Sequence, residues 1–193
     1  MKVSIITAAL NNANTVEHCI QSVNSQSYAD VEQIIVDGGS GDGTLDIARK
    51  VGGRITKVIS EPDNGIYEAL NKGISLASGD IIGVLSADDF FAHKEVVKTV
   101  VDSLQNYGTD SCYADLEYVD RNNTEKVIRY WKSSGYSPGR FKYGWMPAHP
   151  TYFVRKWVYE KYGYFNTSFT IAADYELMLR FMVKYGISAY YIP

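Results

Sequence analysis

The sequence predicts an α/β fold: a Rossmann-like, mostly parallel sheet flanked by helices, with a small antiparallel hairpin in the C-terminal half. Three observations carry that expectation. Short β-rich runs alternate with stretches of helical periodicity up to about residue 110. The first run, Val3-Ser4-Ile5-Ile6, reads as a strand buried on both faces rather than one that alternates. And 46% hydrophobic against 21% charged residues over 193 positions is ample for a packed core.

The elements follow in order. The first strand ends at Thr7-Ala8. Asn14 is placed to cap the helix that follows, with Glu17 three residues on. Val16, Cys19, Ile20 and Val23 then recur at i, i+3, i+4 and i+7, one apolar face. A second strand, Gln33 to Val36, runs into Asp37 and the glycine-loaded turn Gly38-Gly39-Ser40-Gly41-Asp42-Gly43. A short helix from Thr44 to Lys50 points Leu45, Ile47 and Ala48 inward. The third strand, Lys57 to Ser60, ends in Glu61-Pro62-Asp63-Asn64-Gly65. Ile66, Ala69, Leu70, Gly73, Ile74 and Ala77 define the clearest helix, with Gly79 placed to stop it as a left-handed residue. Strand Ile81 to Leu85 leads to Asp88-Asp89, and Val96, Val97, Val100, Val101 and Leu104 mark another helix. This rhythm predicts parallel strands joined by right-handed crossovers.

After Asp110 the pattern changes. Cys112, Ala114, Leu116 and Tyr118 alternate, Arg121-Asn122-Asn123 turns the chain, and Glu125 to Trp131 returns it as an antiparallel hairpin. Tyr136 to His149 reads as a Gly/Pro/aromatic loop. A last strand at Thr151–Val154, a helix near Arg155–Tyr162 and a final helix from Ala172 to Lys184 follow. That last helix has Tyr175, Met178, Phe181 and Met182 on one face. No repeat or linker interrupts the chain, so one domain over residues 1–193 is expected, divided in character into 1–110 and 111–193.

Composition excludes several classes. A net charge of -3 argues against nucleic acid as the main partner. Two cysteines, Cys19 and Cys112, are too few for a disulfide scaffold, and His18, His93 and His149 add no zinc-ligand spacing. The Val3–Leu10 run is too short to span a bilayer, and neither an export signal nor a transmembrane stretch is apparent. A cytoplasmic protein is therefore expected. Half of the aromatic residues fall between Tyr130 and Phe165. Trp131, Tyr143, Trp145, Tyr152 and Trp157 among them read as a sugar-stacking platform for the acceptor, as a hydrophobic lid over a small sheet, or as a peripheral contact with an anionic membrane at its inner face. Residues 130–165 also hold six basic side chains and one acid, +5, which leaves the rest of the chain at -8.

Ligands in open parallel sheets bind beyond the carboxyl ends of strands. Four strand ends here bring Thr7-Ala8, Asp37, Glu61-Pro62-Asp63 and Asp88-Asp89 to one edge. For Asp37 or Asp63 alone an ordinary turn acid is an equal reading. Asp88 and Asp89 differ, because adjacent carboxylates repel and a hydrophobic strand delivers both. Such a pair suits Mg²⁺ or Mn²⁺ bridging a diphosphate. The glycine turn lacks the third glycine of G-x-G-x-x-G, and no G-K-[ST] follows it, so a dinucleotide or P-loop fingerprint fails.

Six segments then occur in register: Thr7-Ala8-Ala9-Leu10-Asn11, Val36 to Thr44, Ser60 to Tyr67, Asn71-Lys72-Gly73, Gly79-Asp80 and Leu85 to Asp89. With Ala173-Asp174-Tyr175-Glu176-Leu177 they closely resemble the family 2 inverting glycosyltransferases, whose nucleotide-binding fold is of the GT-A type. The resemblance implies a hexosyltransferase-type enzyme using a nucleoside-diphosphate-sugar donor, a divalent cation (Mn²⁺ or Mg²⁺) and a saccharide or lipid-linked acceptor. By residue, it implies that Thr7, Ala8 and Asp37 line the base and ribose pocket, with Glu61 and Asp63 on its rim. Asn71 and Lys72 would open toward the diphosphate or, equally, face solvent. Asp88 would lie nearer the ribose or sugar, Asp89 would be the metal ligand and Asp174 the catalytic base. His149 matches a histidine near the acceptor side, where a buried structural histidine reads as well. It implies a nucleotide-sugar-binding half, 1–110, and an acceptor half, 111–193.

Many members carry two acids after the second strand, where this chain has Asp37-Gly38. Two alternatives compete: a catalytically silent sugar-nucleotide or glycan-binding module, and a sugar nucleotidyltransferase. The second expects a basic Gly-rich loop where Thr7 to Asn12 stands.

Overall fold

The computed structural model describes residues 1–193. Seven strands form one sheet in the order β3-β2-β1-β4-β8-β5-β9. β1 (Val3–Ala9), β2 (Val31–Asp37), β3 (Ile55–Ser60) and β4 (Ile81–Val84) are parallel, with Val3 opposite both Val31 and Ile81 and a register shift between β2 and β3 at Gln33/Ile34. The right half is mixed: β8 (Phe153–Arg155) runs antiparallel to both β4 and β5 (Ser111–Tyr113), while β9 (Ala189–Tyr191) is parallel to β5.

Period-two alternation sorts β1 onto two cores. Val3 and Ile5 pack beneath α1 (Val16–Asn24) and α4 (Val96–Tyr107), with α2 (Thr44–Val51) completing that face. Ile6 and Ala8 face the other way, into a core built from α3 (Ile66–Leu76), α5 (Lys156–Tyr162) and α6 (Ala173–Leu179). Both cores draw residues from before and after Asp110. Gly73 lets α3 settle on the sheet: a Cβ there would stand 2.3 Å from Ile6 Cγ2 and 3.3 Å from Val36 Cγ2.

Several expectations change in detail. Asn14 does not cap α1; the Asn12 carbonyl accepts from Thr15 and Val16 N–H, and no side chain caps the helix. Gly79 is not a left-handed stop. α3 ends at Leu76, and Gly79 is needed where its Cβ would fall 2.8 Å from the Lys2 carbonyl and the Ser4 nitrogen. Ile66 is half exposed rather than on the buried face. Cys112 belongs to β5 of the main sheet, so the hairpin is β6 (Leu116–Asp120) with β7 (Asn123–Trp131), a separate two-stranded sheet. The final helix is α-helical to Leu179 and widens into a π turn at Arg180–Lys184. The Tyr136–His149 loop contains a 3-10 turn at Arg140–Tyr143, and a second spans His149–Thr151.

Glu32 shows how the far edge is closed. Its buried carboxylate pairs with Lys2 Nζ at 2.8 Å and accepts from Ser4 Oγ at 2.6 Å and Ser78 N–H at 2.7 Å. Burial alone would raise its pKa; these donors outweigh it and hold the group at about 2.

Candidate active site

The chain runs β1, β2, β3 outward, then returns across β1 to form β4. The sheet order therefore reverses between β1 and β4, the position where an open α/β sheet leaves a crevice beyond its carboxyl edge. A cleft of about 500 Å³ lies there. Asn11, Asn12, Asn14 and His18 line one side, and Asp88, Asp89 and Phe90 line the other. The tip of the β6–β7 hairpin adds Val119, Arg121 and Thr124 to its wall. His18 stacks on Phe90 at 4.2 Å between centroids.

Two loops are laced together at this rim. Asn11, in the left-handed region at φ 54, donates its N–H to Ser40 Oγ at 2.8 Å and accepts from Gly41 N–H at 3.1 Å. Asn12 N–H reaches Thr44 Oγ1 at 2.8 Å, and Asp42 takes the Ala13 N–H at 2.9 Å. The glycine-rich turn thus shapes the loop after β1.

Asp88 is exposed and Asp89 half-buried. Burial first, then the Asp88 charge, pushes the Asp89 carboxyl up to about 6. No lysine or arginine pairs with either acid. No three His, Cys, Asp or Glu side chains cluster to enclose a metal. Two carboxylates at an open cleft nevertheless fit Mg²⁺ or Mn²⁺ chemistry, since these ions take one or two carboxylates and complete their shell with phosphate oxygens and water.

The remaining residues named from sequence separate into groups. Thr7 is fully buried toward α1, and its hydroxyl accepts from Gln33 Nε2 at 3.0 Å; Ala8 and Ala9 are also buried, just below the rim. Asp37 is fully buried. Its Oδ2 accepts from Gly39 and Ser40 N–H at 3.0 Å and from Ser60 Oγ at 2.8 Å, while Oδ1 has no partner. Burial raises its pKa, but those donors prevail and lower it overall. Asp63 packs against Gly38, where many relatives carry a second acid: a Cβ on Gly38 would stand 2.8 Å from Asp63 Oδ2. The carboxylate after β3 therefore occupies the space beside Gly38.

Lys72 pairs with Glu61 and Glu68, each at 3.1 Å. Asn71 donates to the Phe165 carbonyl and accepts its N–H, both at 2.9 Å. Of the site residues named from sequence, Asp88 and Asp89 line the cleft, and Thr7, Ala8, Asp37, Glu61, Asp63, Asn71, Lys72 and Asp174 do not. Asp174 stands in the first turn of α6, entered through Ala172 at φ 67, a left-handed value unusual for a residue with a Cβ. Tyr67 Oη donates to Asp174 Oδ1 at 3.3 Å. His149 meets Phe165 edge-on at 5.5 Å; burial pulls its pKa down, with the Asp174 charge opposing.

Sequence reasoning does not assign Tyr67, His18, Phe90 or Arg121 to the site. Tyr67 lies inside one of the family-like segments, but its partner is 107 residues away. Arg121 is visible in the sequence only as part of a hairpin turn.

Comparison with known proteins agrees with this architecture. The fold is that of the GT-A class, and the model of glycosyl transferase family 2 matches residues 4–173. The chain belongs to glycosyl transferase family 2. It is 32% identical over 180 residues to an uncharacterized glycosyltransferase of Mycobacterium tuberculosis strain H37Rv, covering 92% of this chain and 68% of that protein. A PGL/p-HBAD biosynthesis glycosyltransferase of Mycobacterium bovis BCG is 29% identical over 181 residues, with the same shares covered. Among solved structures, the mannosyltransferase PcManGT of Pyrobaculum calidifontis, in complex with GDP-Man and Mn²⁺, superposes with a TM-score of 0.77 at 20% identity. That alignment covers 100% of this chain and 55% of that one, so the chain spans about half of this neighbour's length. Glucosyl-3-phosphoglycerate synthase of M. tuberculosis, in complex with Mn²⁺, UDP and phosphoglyceric acid, gives 0.67 at 21% identity and covers 98% and 68%.

Proposed function

We propose that this chain transfers a sugar, with inversion, from a nucleoside-diphosphate-sugar to a hydroxyl of a saccharide or lipid-linked acceptor. The observation that carries the reading is the unpaired Asp88–Asp89 couple at the point where strand order reverses. Asp89, aided by Asp88, would hold the divalent cation, which offsets the charge gathering on the departing diphosphate. Ala8, Asp37 and Asp63 would receive the base and ribose. Three donors to Oδ2 hold the buried Asp37 carboxylate in one orientation behind that proposed pocket.

Asp174 would serve as base. Its carboxylate takes the proton of the acceptor hydroxyl as that oxygen bonds to the anomeric carbon. The bond from carbon to diphosphate breaks on the opposite face, and the leaving group keeps the electron pair. One displacement inverts the centre, so no covalent intermediate is required. Asp174→Asn is expected to abolish transfer while sugar-nucleotide binding survives. Parallel loss of binding and turnover would remove Asp174 from this role.

No helix is long and apolar enough to cross a membrane. Tyr143 is 91% exposed, and Lys142 beside it in the chain is exposed as well. Aromatic and basic groups together favour an anionic interface, which would suit a lipid-linked acceptor. The protein is accordingly expected to sediment with anionic liposomes at low salt; failure to do so ends the membrane reading.

A further inference from the structure

One face of α3 meets the segment that leads to Asp174. Tyr67 and Asn71, four residues apart on α3, lie on a common side. Asn71 fixes the Phe165 backbone through two hydrogen bonds of 2.9 Å. One turn earlier, the Tyr67 ring stacks on the Phe165 ring at 5.5 Å and 23°, and its hydroxyl reaches Asp174 Oδ1. Phe165 is therefore held from its backbone and from one ring face, and His149 packs against it edge-on.

We infer that Tyr67 is a positioning residue for Asp174, selecting which carboxylate oxygen faces the acceptor. The inference rests on the assignment of Asp174 as base. Tyr67 is the one side chain of the protein that donates a hydrogen bond to this carboxylate, and it does so to Oδ1 alone. A lone carboxylate in the first turn of a helix is free to rotate about its side-chain torsions; a donor on Oδ1 leaves Oδ2 to receive the proton. At 3.3 Å the contact is longer than the usual O–H···O bond of about 2.5–3.0 Å, so it biases the orientation of the group rather than locking it. The ring stack holds the hydroxyl in place. Burial, together with the Asp174 charge and hydrogen bond, raises the Tyr67 pKa above its ordinary value, so the phenol stays protonated and remains a donor at any working pH.

The arrangement also places this contact close to the donor. Tyr67 follows Glu61-Pro62-Asp63-Asn64-Gly65 by two residues, and Asp63 Oδ1 accepts the Gly65 N–H at 2.9 Å. The rim proposed to receive the nucleotide and the hydroxyl that aims the base thus belong to adjacent turns of chain.

Tyr67→Phe keeps the ring and removes only the hydroxyl. With a sugar nucleotide and acceptor turned over by the unaltered protein, kcat is expected to fall about ten-fold. The donor KM, the affinity for nucleoside diphosphate with Mn²⁺ and the melting temperature should stay unchanged. Asp174→Asn is assayed beside it to check the base assignment separately. If Asp174→Asn is silent with binding intact but Tyr67→Phe keeps full kcat, the role of Tyr67 is overturned while the base stands. Loss of donor affinity or melting temperature along with kcat in Tyr67→Phe overturns that role as well. If Asp174→Asn retains turnover, the base assignment falls and this inference falls with it.

Discussion

Asp89 is ionised at neutral pH against two unfavourable influences, burial and the adjacent Asp88. The sign of the linkage follows. A carboxyl whose folded pKa is near 6, above an unfolded value of about 3.9, stabilises the fold fully only below the lower value and loses that contribution as pH rises through the upper one. At pH 7.5 the charge should cost on the order of 1–2 kcal/mol after solvent screening. Asp89→Asn is therefore expected to raise the melting temperature by a few degrees at pH 7.5, to give no gain near pH 3.5, and to abolish stabilisation by Mn²⁺. Thermal melts at the two pH values check the sign. The acid pair is legible in the sequence because its signal is local, two carboxylates directly after an apolar strand. The contacts of Tyr67, Asn71 and Asp63 are not, because each meets a partner that only the fold brings near: Asp174, Phe165 and Gly38.

Among the elements, α3 has the most to hold in place, since it carries Tyr67 and Asn71 and rests on β1 and β2. Gly73 sets how closely it approaches. Gly73→Ala gains about 1 kcal/mol of helix propensity but drives a methyl to 2.3 Å from Ile6 Cγ2. Overpacking of this kind costs about 1–3 kcal/mol, and with a contact this short the larger figure should prevail. Denaturant titration is expected to show a net loss of about 1 kcal/mol or more, with transfer slowed as α3 backs away from α6. Elements with a full period of pattern, such as α1, α3, α4 and the four parallel strands, are readable from sequence. β9, at three residues, is not, because it is too short to show alternation. The separation of Cys112 into β5 is hidden for a similar reason: one alternating run continues across two different sheets.

The whole molecule joins parts of unlike charge, +5 over residues 130–165 and -8 elsewhere. The acidic part holds the cleft, and the aromatic part is largely its own core: Tyr136, Phe141 and Trp145 pack on one another at 5.4–6.0 Å. That packing favours the hydrophobic-lid reading over a stacking platform for these three rings. The hairpin is expected from sequence, but its direction is not. A β-hairpin is specified by its own turn and alternation, whereas where it swings depends on contacts at its base, such as Tyr130 and Tyr191 on Asp115. Here it brings Arg121 into the wall of the cleft that holds the acids. The central claim, a cation-dependent sugar transfer at Asp88–Asp89, is tested most directly by incubating the protein with a panel of sugar nucleotides and scoring released nucleoside diphosphate, with Mn²⁺ and with chelator. Release that requires Mn²⁺ and disappears in Asp89→Asn is the predicted result. Metal-dependent binding without any release, or release indifferent to chelator, would contradict it.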